Sequence, residues 1–218
     1  MDLDFTDVLR QWPLLASGLA WTVALTLLST LLGMLLGIAL GWARAGRSAA
    51  LRAITGVYVE GIRNTPFIVQ LYFVFFGLPS LGLRLSPAQA SVLAMTANLA
   101  GYAAEIVRAG IQSIPRGQLE AAASLALSPR QSFVHVVLPP ALRRVWPALT
   151  SQVIIVMLGS AVCSQISTPE LSYATYLIAS RSFRSFESYT VAAVAYLLLA
   201  VAMRQLLGRL GGYLALRR

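Results

Sequence analysis

The sequence predicts an all-α membrane protein with five transmembrane helices and a pair of short helices on the cytoplasmic side. Composition is the first observation: 57% of the residues are hydrophobic and 11% are charged, whereas a soluble domain carries about 25% charged residues. The second is a series of long, apolar stretches that arginines separate. The third is a polar segment at 111–140 that has its own helix start and stop signals. We therefore treat residues 1–218 as one membrane domain.

Charge and rare residues exclude several classes of function. The net charge is +9, and all 17 basic residues are arginine. In a chain this apolar, such a charge indicates positive-inside topology and contact with membrane lipid, not binding to nucleic acid. Cys163 is the sole cysteine and His135 the sole histidine, so an intrachain disulfide and a multi-histidine metal site are excluded.

Five stretches approach the roughly 20 residues that cross a hydrocarbon core. The acidic N-terminus is not a secretory signal, and the first hydrophobic run is long enough to span. In the second stretch, Thr65-Pro66 predicts a kink or an opening of the helix. The fifth stretch is the shortest. In chain order, they lie between Arg10 and Arg44 with an apolar core at 14–42, from Arg63 to near Pro79, between Arg84 and Glu105, from Arg144 to before Glu170, and from Glu187 to Arg204.

Arginine counts predict the orientation of these spans. The loops after spans one and three and the C-terminal tail would place eleven arginines on one side: Arg44, Arg47, Arg52, Arg116, Arg130, Arg143, Arg144, Arg204, Arg209, Arg217 and Arg218. The other side would carry four: Arg10, Arg84, Arg181 and Arg184. Because the side rich in arginine faces the cytoplasm, we expect the N-terminus outside and the C-terminus inside.

The segment 111–140 reads as two short helices on the cytoplasmic surface. Pro115 and Gly117 break the preceding helix, and 118–126 is rich in residues that favour helix. Ser128-Pro129 is an N-cap followed by a first-turn proline. Pro139-Pro140 is expected to stop the second helix. A membrane protein that builds such a pair presents it to a partner.

Polar residues within the spans are the candidates for a solute path or for contacts between helices. Glu60 and Arg63 are three residues apart, so we expect an ion pair that acts as a structural lock. On the third span, polar side chains recur at helical spacing on one face, which must point toward protein or water. The candidates for the path are Gln70, Asn98, Tyr102, Glu105 and Gln152. Hydrogen bonding between helices is the alternative role for all of them.

Small residues and missing motifs complete the interpretation. Gly33, Gly37 and Gly41 form overlapping small-xxx-small pairs that predict close helix packing. The phosphate-binding pattern G-x-x-x-x-G-K-[ST] requires lysine, which the chain lacks. The chain is therefore not expected to be an enzyme, and ATP would bind another chain. Five spans are too few to enclose a path alone, so we expect an oligomer.

Several motifs resemble the permeases of bacterial ABC importers for polar amino acids, the histidine, glutamine, glutamate, arginine and opine family. Glu120-Ala121-Ala122, followed by Leu138-Pro139, is similar to the EAA motif of that family. Two other segments resemble its R-G-T-P-x-x-V-Q-L and A-E-I-x-R-x-G-I-Q-S-x-P sequences, and the likeness covers roughly residues 14–210. The segments are Arg63-Asn64-Thr65-Pro66-Phe67-Ile68-Val69-Gln70-Leu71 and Ala104-Glu105-Ile106-Val107-Arg108-Ala109-Gly110-Ile111-Gln112-Ser113-Ile114-Pro115.

The resemblance implies a type I ABC importer transmembrane domain in the cytoplasmic (inner) membrane. It implies an ABC ATPase dimer that docks on Glu120, Ala121, Ala122, Ala126, Leu138 and Pro139 and holds ATP and Mg²⁺, with no cofactor on this chain. It also implies an extracytoplasmic solute-binding protein that meets an outer loop around 166–187, and a second permease copy or homologue. The solute would be a polar amino acid or an opine-like relative.

The chain departs from the family pattern at three places, the first of which is Asn64, where glycine is common. Ala126 stands where a glycine usually follows the EAA triplet, and we expect the bend there to be kept. Leu158-Gly159 stands where many such permeases have Lys-Asp, which weakens any inference about the solute. The alternatives are a standalone secondary transporter or channel, and a membrane subunit whose helix pair docks a partner other than an ATPase.

Overall fold

The structure is a computed structural model that describes residues 3–46 and 48–213. Within those residues it is helical, and four short segments between the α-helices are not α-helical: two π-helical turns, Phe73–Gly77 and Phe133–Val137, and two 3₁₀ segments, Leu78–Leu81 and Ser160–Ile166. Arg47, Arg217 and Arg218, which entered the arginine counts, lie outside the described residues. The helices are α1 (Thr6–Arg10), α2 (Trp12–Ala45), α3 (Ala49–Arg63), α4 (Phe67–Tyr72), α5 (Pro87–Gln112), α6 (Arg116–Ser124), α7 (Pro129–Ser132), α8 (Leu138–Gly159), α9 (Leu171–Ser182) and α10 (Ser185–Tyr213).

The centre of the fold is the crossing of α2 and α5, where glycines allow the two backbones to approach closely. A Cβ atom added at Gly37 would lie 2.6 Å from the Cβ of Ala103, and one at Gly41 would lie 2.7 Å from the carbonyl oxygen of Ala104. Gly33 lies against Leu99 in the same way. The expected small-residue packing is therefore present, and α5 is its partner.

The remaining helices pack around this pair. α8 lies against α5, α10 lies against α8 and α9, and α3 contacts both α2 and α5. The main apolar core lies where these elements meet, with Leu25, Leu71, Met95 and Leu99 almost fully buried. By contrast, most of α10 is exposed along its length, as expected for a helix that faces lipid or another subunit.

Four helices are long and apolar enough to cross a membrane, and a bent pair makes a fifth candidate. The bent pair is α3 with the segment Phe67–Leu81, which meet at 108°. The predicted break at Thr65-Pro66 is confirmed: α3 ends at Arg63, and Pro66 adopts an extended ψ of 141°. The sequence placed the second span wholly after Arg63, whereas the candidate span in the structure also includes α3, before the break.

Pro139 and Pro140 do not stop a helix, contrary to the sequence-based expectation. α7 runs into a π-helical turn at Phe133–Val137, and α8 begins immediately at Leu138. The wider hydrogen-bonding of a π turn already interrupts the regular i to i−4 pattern. The prolines occupy the start of α8, where their missing N–H groups cost least.

The turn between α6 and α7 keeps its bend with an alanine. Ala126 has a φ of +54°, in the left-handed region. The amide of Leu127 donates to the carbonyl of Ala122, and that of Ala126 donates to the carbonyl of Ala123, which is the Schellman ending of a helix. After it, Ser128 and Gln131 form the capping box that begins α7, so the predicted N-cap is confirmed.

The segment 166–187 is not a loop, because it contains α9. Glu170 is fully buried and caps α9, with its carboxylate accepting from the amides of Ser172 and Tyr173. Thr22 of α2 accepts from the amide of Leu171 and fixes α9 to the bundle. α10 is also longer than predicted, since it runs 29 residues to Tyr213; Arg204 lies inside a helix and does not end it.

A Gly37→Ala substitution should destabilise the protein by about 1–3 kcal/mol, because the new methyl overlaps Ala103 and forces α2 and α5 apart. Thermal unfolding in detergent measures this. Gly61→Ala in α3 is the matched control, since a Cβ there meets nothing within 4 Å. An equal loss of stability in both variants would contradict the close crossing.

Ala126→Gly should stabilise the protein by about 1 kcal/mol, because glycine adopts the left-handed conformation without the penalty of a Cβ atom. This should raise the melting temperature by about 2–4 °C. Ala123→Gly, three residues earlier and inside α6, should have the opposite sign, since glycine in a helix interior costs about 1 kcal/mol. A lower melting temperature for Ala126→Gly would argue against the left-handed turn.

Candidate functional site

The helix α6 presents a mixed apolar and acidic surface on the outside of the protein. The side chain of Leu125 is 75% exposed and that of Leu119 is also exposed. Glu120 and Ala121 are exposed between them, whereas Ala122 is buried toward the π-helical turn. The small side chains of the alanines let a flat surface approach this helix closely, and Glu120 offers a single negative charge at its edge.

The two other predicted docking residues lie apart from that surface. Leu138 and Pro139 are half-buried at the start of α8. Leu138 lines an apolar cavity of about 350 Å³ between α2, α5 and α8. The structure therefore brings Ala122 and Ala126 together at the end of α6, while Leu138 and Pro139 lie at the start of α8, after the π-helical turn that contacts α6.

A charged cluster lies at one end of α5, close to where the chain turns into α6. The carboxylate of Glu105 accepts from Arg44 of α2 at 2.8 Å and from Arg108 of its own helix at 3.0 Å through Nε. Arg63 of α3 approaches the same carboxylate at 4.0 Å. Since the Glu105 side chain is only 21% exposed, one carboxylate ties three helices together.

Glu60 and Arg63 belong to this cluster and do not form the i,i+3 pair that their spacing predicted. Glu60 is paired with Arg44 at 3.7 Å, and its side chain is 71% exposed. Arg63 lies over the ring of Tyr102, 5.8 Å from its centroid, in addition to its approach to Glu105. Arg44 pairs with both Glu60 and Glu105, and Arg63 approaches Glu105. Glu60 and Arg63 are therefore linked through Arg44 and Glu105.

Further along α5, Gln70 and Asn98 form a second polar group. The side-chain nitrogen of Gln70 donates to the carbonyl of Ile62 at 2.7 Å and to the carbonyl and hydroxyl oxygens of Thr65 at 3.1 and 2.9 Å. Its oxygen accepts from the amide nitrogen of Asn98 at 3.0 Å. This network stabilises the broken backbone between α3 and α4.

Asn98 also opens onto a small cavity of about 80 Å³ between α4, α5 and α8. The other lining residues are Phe67, Met95, Ile155, Val156 and Gly159. Gln152 is 8% exposed on α8 and does not line this cavity. The five path candidates are therefore divided: Gln70 and Asn98 lie near the cavity, Tyr102 and Glu105 belong to the charged cluster, and Gln152 is separate.

Sequence reasoning missed two contributors to these sites. Arg44 lies 61 residues from Glu105 in sequence. The sequence identified Arg44 only as the charged residue that ends the first apolar stretch, and it did not indicate the contact with Glu105. Gly159 stands where the family pattern has an aspartate, and the sequence did not indicate that it would line the small cavity beside Asn98. Among the residues that the structure describes, no group of three His, Cys, Asp or Glu side chains could hold a metal ion.

At the opposite end of the bundle, Arg184 joins the start of the chain to the corner between α9 and α10. Its guanidinium approaches Asp4 at 3.3 Å, Asp7 at 3.6 Å and Glu187 at 3.4 Å. Hydrogen bonding from Thr6, together with the nearby Arg184 charge, holds the pKa of Asp4 below its usual range. Beside them, Phe183 has a φ of +56° and a side chain that is 91% exposed.

Residues 30–211 match the family described as the binding-protein-dependent transport system inner membrane component. The glutamine transport system permease protein GlnP of Escherichia coli is 33% identical over 212 residues, 96% of this chain and 97% of that protein. The L-cystine transport system permease protein TcyB of Bacillus subtilis is 34% identical over 76% of this chain and 71% of that protein.

Solved structures agree with these sequence matches. The crystal structure of an amino acid ABC transporter with histidines superposes with a TM-score of 0.90 at 33% identity, covering 98% of this chain and all of that one. A chain of the MetNI methionine ABC transporter superposes with a TM-score of 0.76 at 25% identity, covering 90% and 94% of the two chains.

These matches cover nearly the whole chain in both sequence and fold. Proteins of this family cross the inner membrane several times, and ATP is hydrolysed by a separate ATPase subunit. They also work with a substrate-binding protein. The chain belongs to the family of binding-protein-dependent transport system inner membrane components and is the transmembrane permease subunit of an ABC importer.

Proposed function

We propose that this permease moves a polar amino acid, or a close relative such as an opine, into the cytoplasm by alternating access. The support is the names of the relatives, which are glutamine and cystine permeases, and the fold shared with an amino acid ABC transporter. Membership of the family removes the standalone transporter and the docking of a non-ATPase partner as alternatives.

The proposed orientation has the N-terminus outside and the C-terminus in the cytoplasm. The charge asymmetry of the sequence supports it. In this orientation α6 and the Glu105 cluster lie on the cytoplasmic side, while Arg184 and Phe183 lie outside. The exposed Phe183 and the α9–α10 corner would then be available to the solute-binding protein.

The observation that carries the proposal is the exposed α6, with Leu119, Glu120 and Leu125 directed away from the bundle. We infer that one subunit of an ABC ATPase dimer docks on this helix together with Ala121 and Ala126. ATP and Mg²⁺ then reside on the ATPase, and this chain needs no cofactor. A second permease copy, or a homologous permease, supplies the other docking helix and completes the path.

The charged cluster gives this docking a mechanical connection to the spans. α6 follows α5 after three residues, and Glu105 ties the end of α5 to α2 and α3. A displacement of α6 by the closing ATPase dimer therefore moves three helices as one body. Rigid movement of such a body against the other half of the importer is what opens the path alternately to each side.

The polar face of α5 is the proposed boundary of the path. Asn98 lies at its apolar, membrane-centre end and Tyr102 and Glu105 lie nearer the cytoplasm, with Gln70 beside Asn98. Gln152, which is buried on α8, stays a candidate for this path, with hydrogen bonding between helices as its alternative role. Because three arginines surround Glu105, we assign it the role of an anchor along this face and not of a free ligand for an amino group.

Glu120→Lys should uncouple ATP hydrolysis from uptake or weaken co-purification with the ATPase, because it reverses the charge on the docking helix. Uptake of labelled amino acid and ATP hydrolysis are measured together in vesicles that contain the assembled importer and its binding protein. Gln118→Lys places the same lysine side chain on a different side of α6 without removing a carboxylate, and it is the control. Normal assembly and fully coupled uptake with Glu120→Lys would exclude the docking role of Glu120.

Glu105→Gln should lower the free energy of unfolding by about 1–3 kcal/mol, because it leaves three arginines without their shared carboxylate. Glu60→Gln is the control: this exposed carboxylate has one long ion pair, so its loss should cost within about 0.5 kcal/mol. Thermal unfolding distinguishes the two. A Glu105→Gln protein with wild-type stability and altered uptake would instead make Glu105 a solute ligand.

A further inference from the structure

A groove between α8 and α10 has features that the transport cycle described above does not use. Its volume is about 610 Å³. One part of its wall is aliphatic, and another part carries hydroxyl groups and a guanidinium. The lining residues are Trp146, Pro147, Thr150, Ser151, Ile154, Ile155, Arg204 and Gly208.

Two hydrogen bonds show where this groove lies along the helix axes, relative to the end of α5. Arg144, at the base of α8, donates to the carbonyl of Ser113, which follows the last residue of α5. Trp146 donates through Nε1 to the carbonyl of Leu207 and holds α10 at the same level. The groove therefore begins where α5 leaves the membrane and extends to Ile155, about 13 Å along α8. In the proposed orientation, this is the headgroup and upper acyl region of the cytoplasmic leaflet.

Arg204 is the one charged side chain in the lining. Among the residues that the structure describes, it has no hydrogen bond or ion pair. It lies inside the long apolar helix α10, where a guanidinium requires water or an anion. The described lining contains no carboxylate that could pair with the Arg204 guanidinium. Within residues 3–46 and 48–213, Arg204 is therefore left without a counterion, and a group from outside the chain can supply one.

We propose that this groove binds an anionic phospholipid of the cytoplasmic leaflet. The guanidinium of Arg204 pairs with the headgroup phosphate, near the hydroxyl of Thr150, and an acyl chain lies along Ile154 and Ile155. Anionic lipid is the abundant negative species at this depth, and basic pockets between transmembrane helices on the cytoplasmic side suit its headgroup. The combination of one cation with an aliphatic wall matches a phospholipid better than a soluble phosphate. The proposal rests on the orientation given under the proposed function.

Trp146 lines the groove and reports on its occupant. In the full-length chain with the exposed Trp12, Trp21 and Trp42 changed to phenylalanine, its fluorescence can be measured alone. The chain is placed in phosphatidylcholine vesicles that contain brominated phosphatidylglycerol, and in matched vesicles in which phosphatidylcholine carries the bromine. We expect stronger quenching by the brominated phosphatidylglycerol, equivalent to about a fivefold preference for the anionic lipid.

Arg204→Gln should abolish this preference, and Arg209→Gln should leave it unchanged, since Arg209 does not line the groove. Added inorganic phosphate should not reduce the quenching; if it does, the site binds free phosphate and the proposal fails. Equal quenching by the two brominated lipids, or a preference that survives Arg204→Gln, would also overturn it.

Native mass spectrometry of the otherwise unchanged chain is the second measurement, and it does not depend on the tryptophan substitutions. Phosphatidylglycerol should stay bound to the wild-type and Arg209→Gln proteins and be lost from Arg204→Gln. Its equal retention by all three would contradict the site. Coupled uptake, measured separately, distinguishes a failure of this lipid site from a failure of the proposed transport function.

Discussion

The close crossing of α2 and α5 is the constraint on which the other contacts depend. Gly37 and Gly41 place the two backbones so near each other that a methyl group would overlap Ala103 or the carbonyl of Ala104. Lipid tails are as apolar as leucine, so helices in a membrane gain little by hiding apolar surface from them. Association of helices in a membrane therefore depends on dispersion contacts at short range and on polar contacts between helices. The glycines allow the short distance between α2 and α5 on which the dispersion contacts depend.

The same crossing sets the geometry of the charged cluster. Arg44 is one turn beyond Gly41 on α2, and Glu105 follows Ala104 on α5. Once the glycines have fixed the separation of the helices, the guanidinium and the carboxylate meet at 2.8 Å. A single interface thus supports both the centre of the bundle and the attachment of α6, which is why the proposed docking helix has a firm base although little of its own surface is buried.

Features that depend on near neighbours in sequence were predictable, and features that depend on distant ones were not. The capping box at Ser128 and the break at Thr65-Pro66 involve a few consecutive residues, so the sequence indicated both correctly. The stop assigned to Pro139-Pro140 failed because a π-helical turn before them has no sequence signal of comparable strength. Charges were also poor markers of helix ends: α10 continues past Arg204, since a long basic side chain can reach the headgroups from within a helix.

The break between α3 and α4 has a consequence for Gln70. Inside a membrane, free backbone carbonyls require an internal donor, since no bulk water is present. The amide nitrogen of Gln70 serves the oxygens of Ile62 and Thr65, so its two hydrogens are fully occupied by three acceptors. Only a lone pair on its oxygen, beside the bond from Asn98, stays unused. At this corner, then, Gln70 can accept one further hydrogen bond but has no hydrogen left to donate.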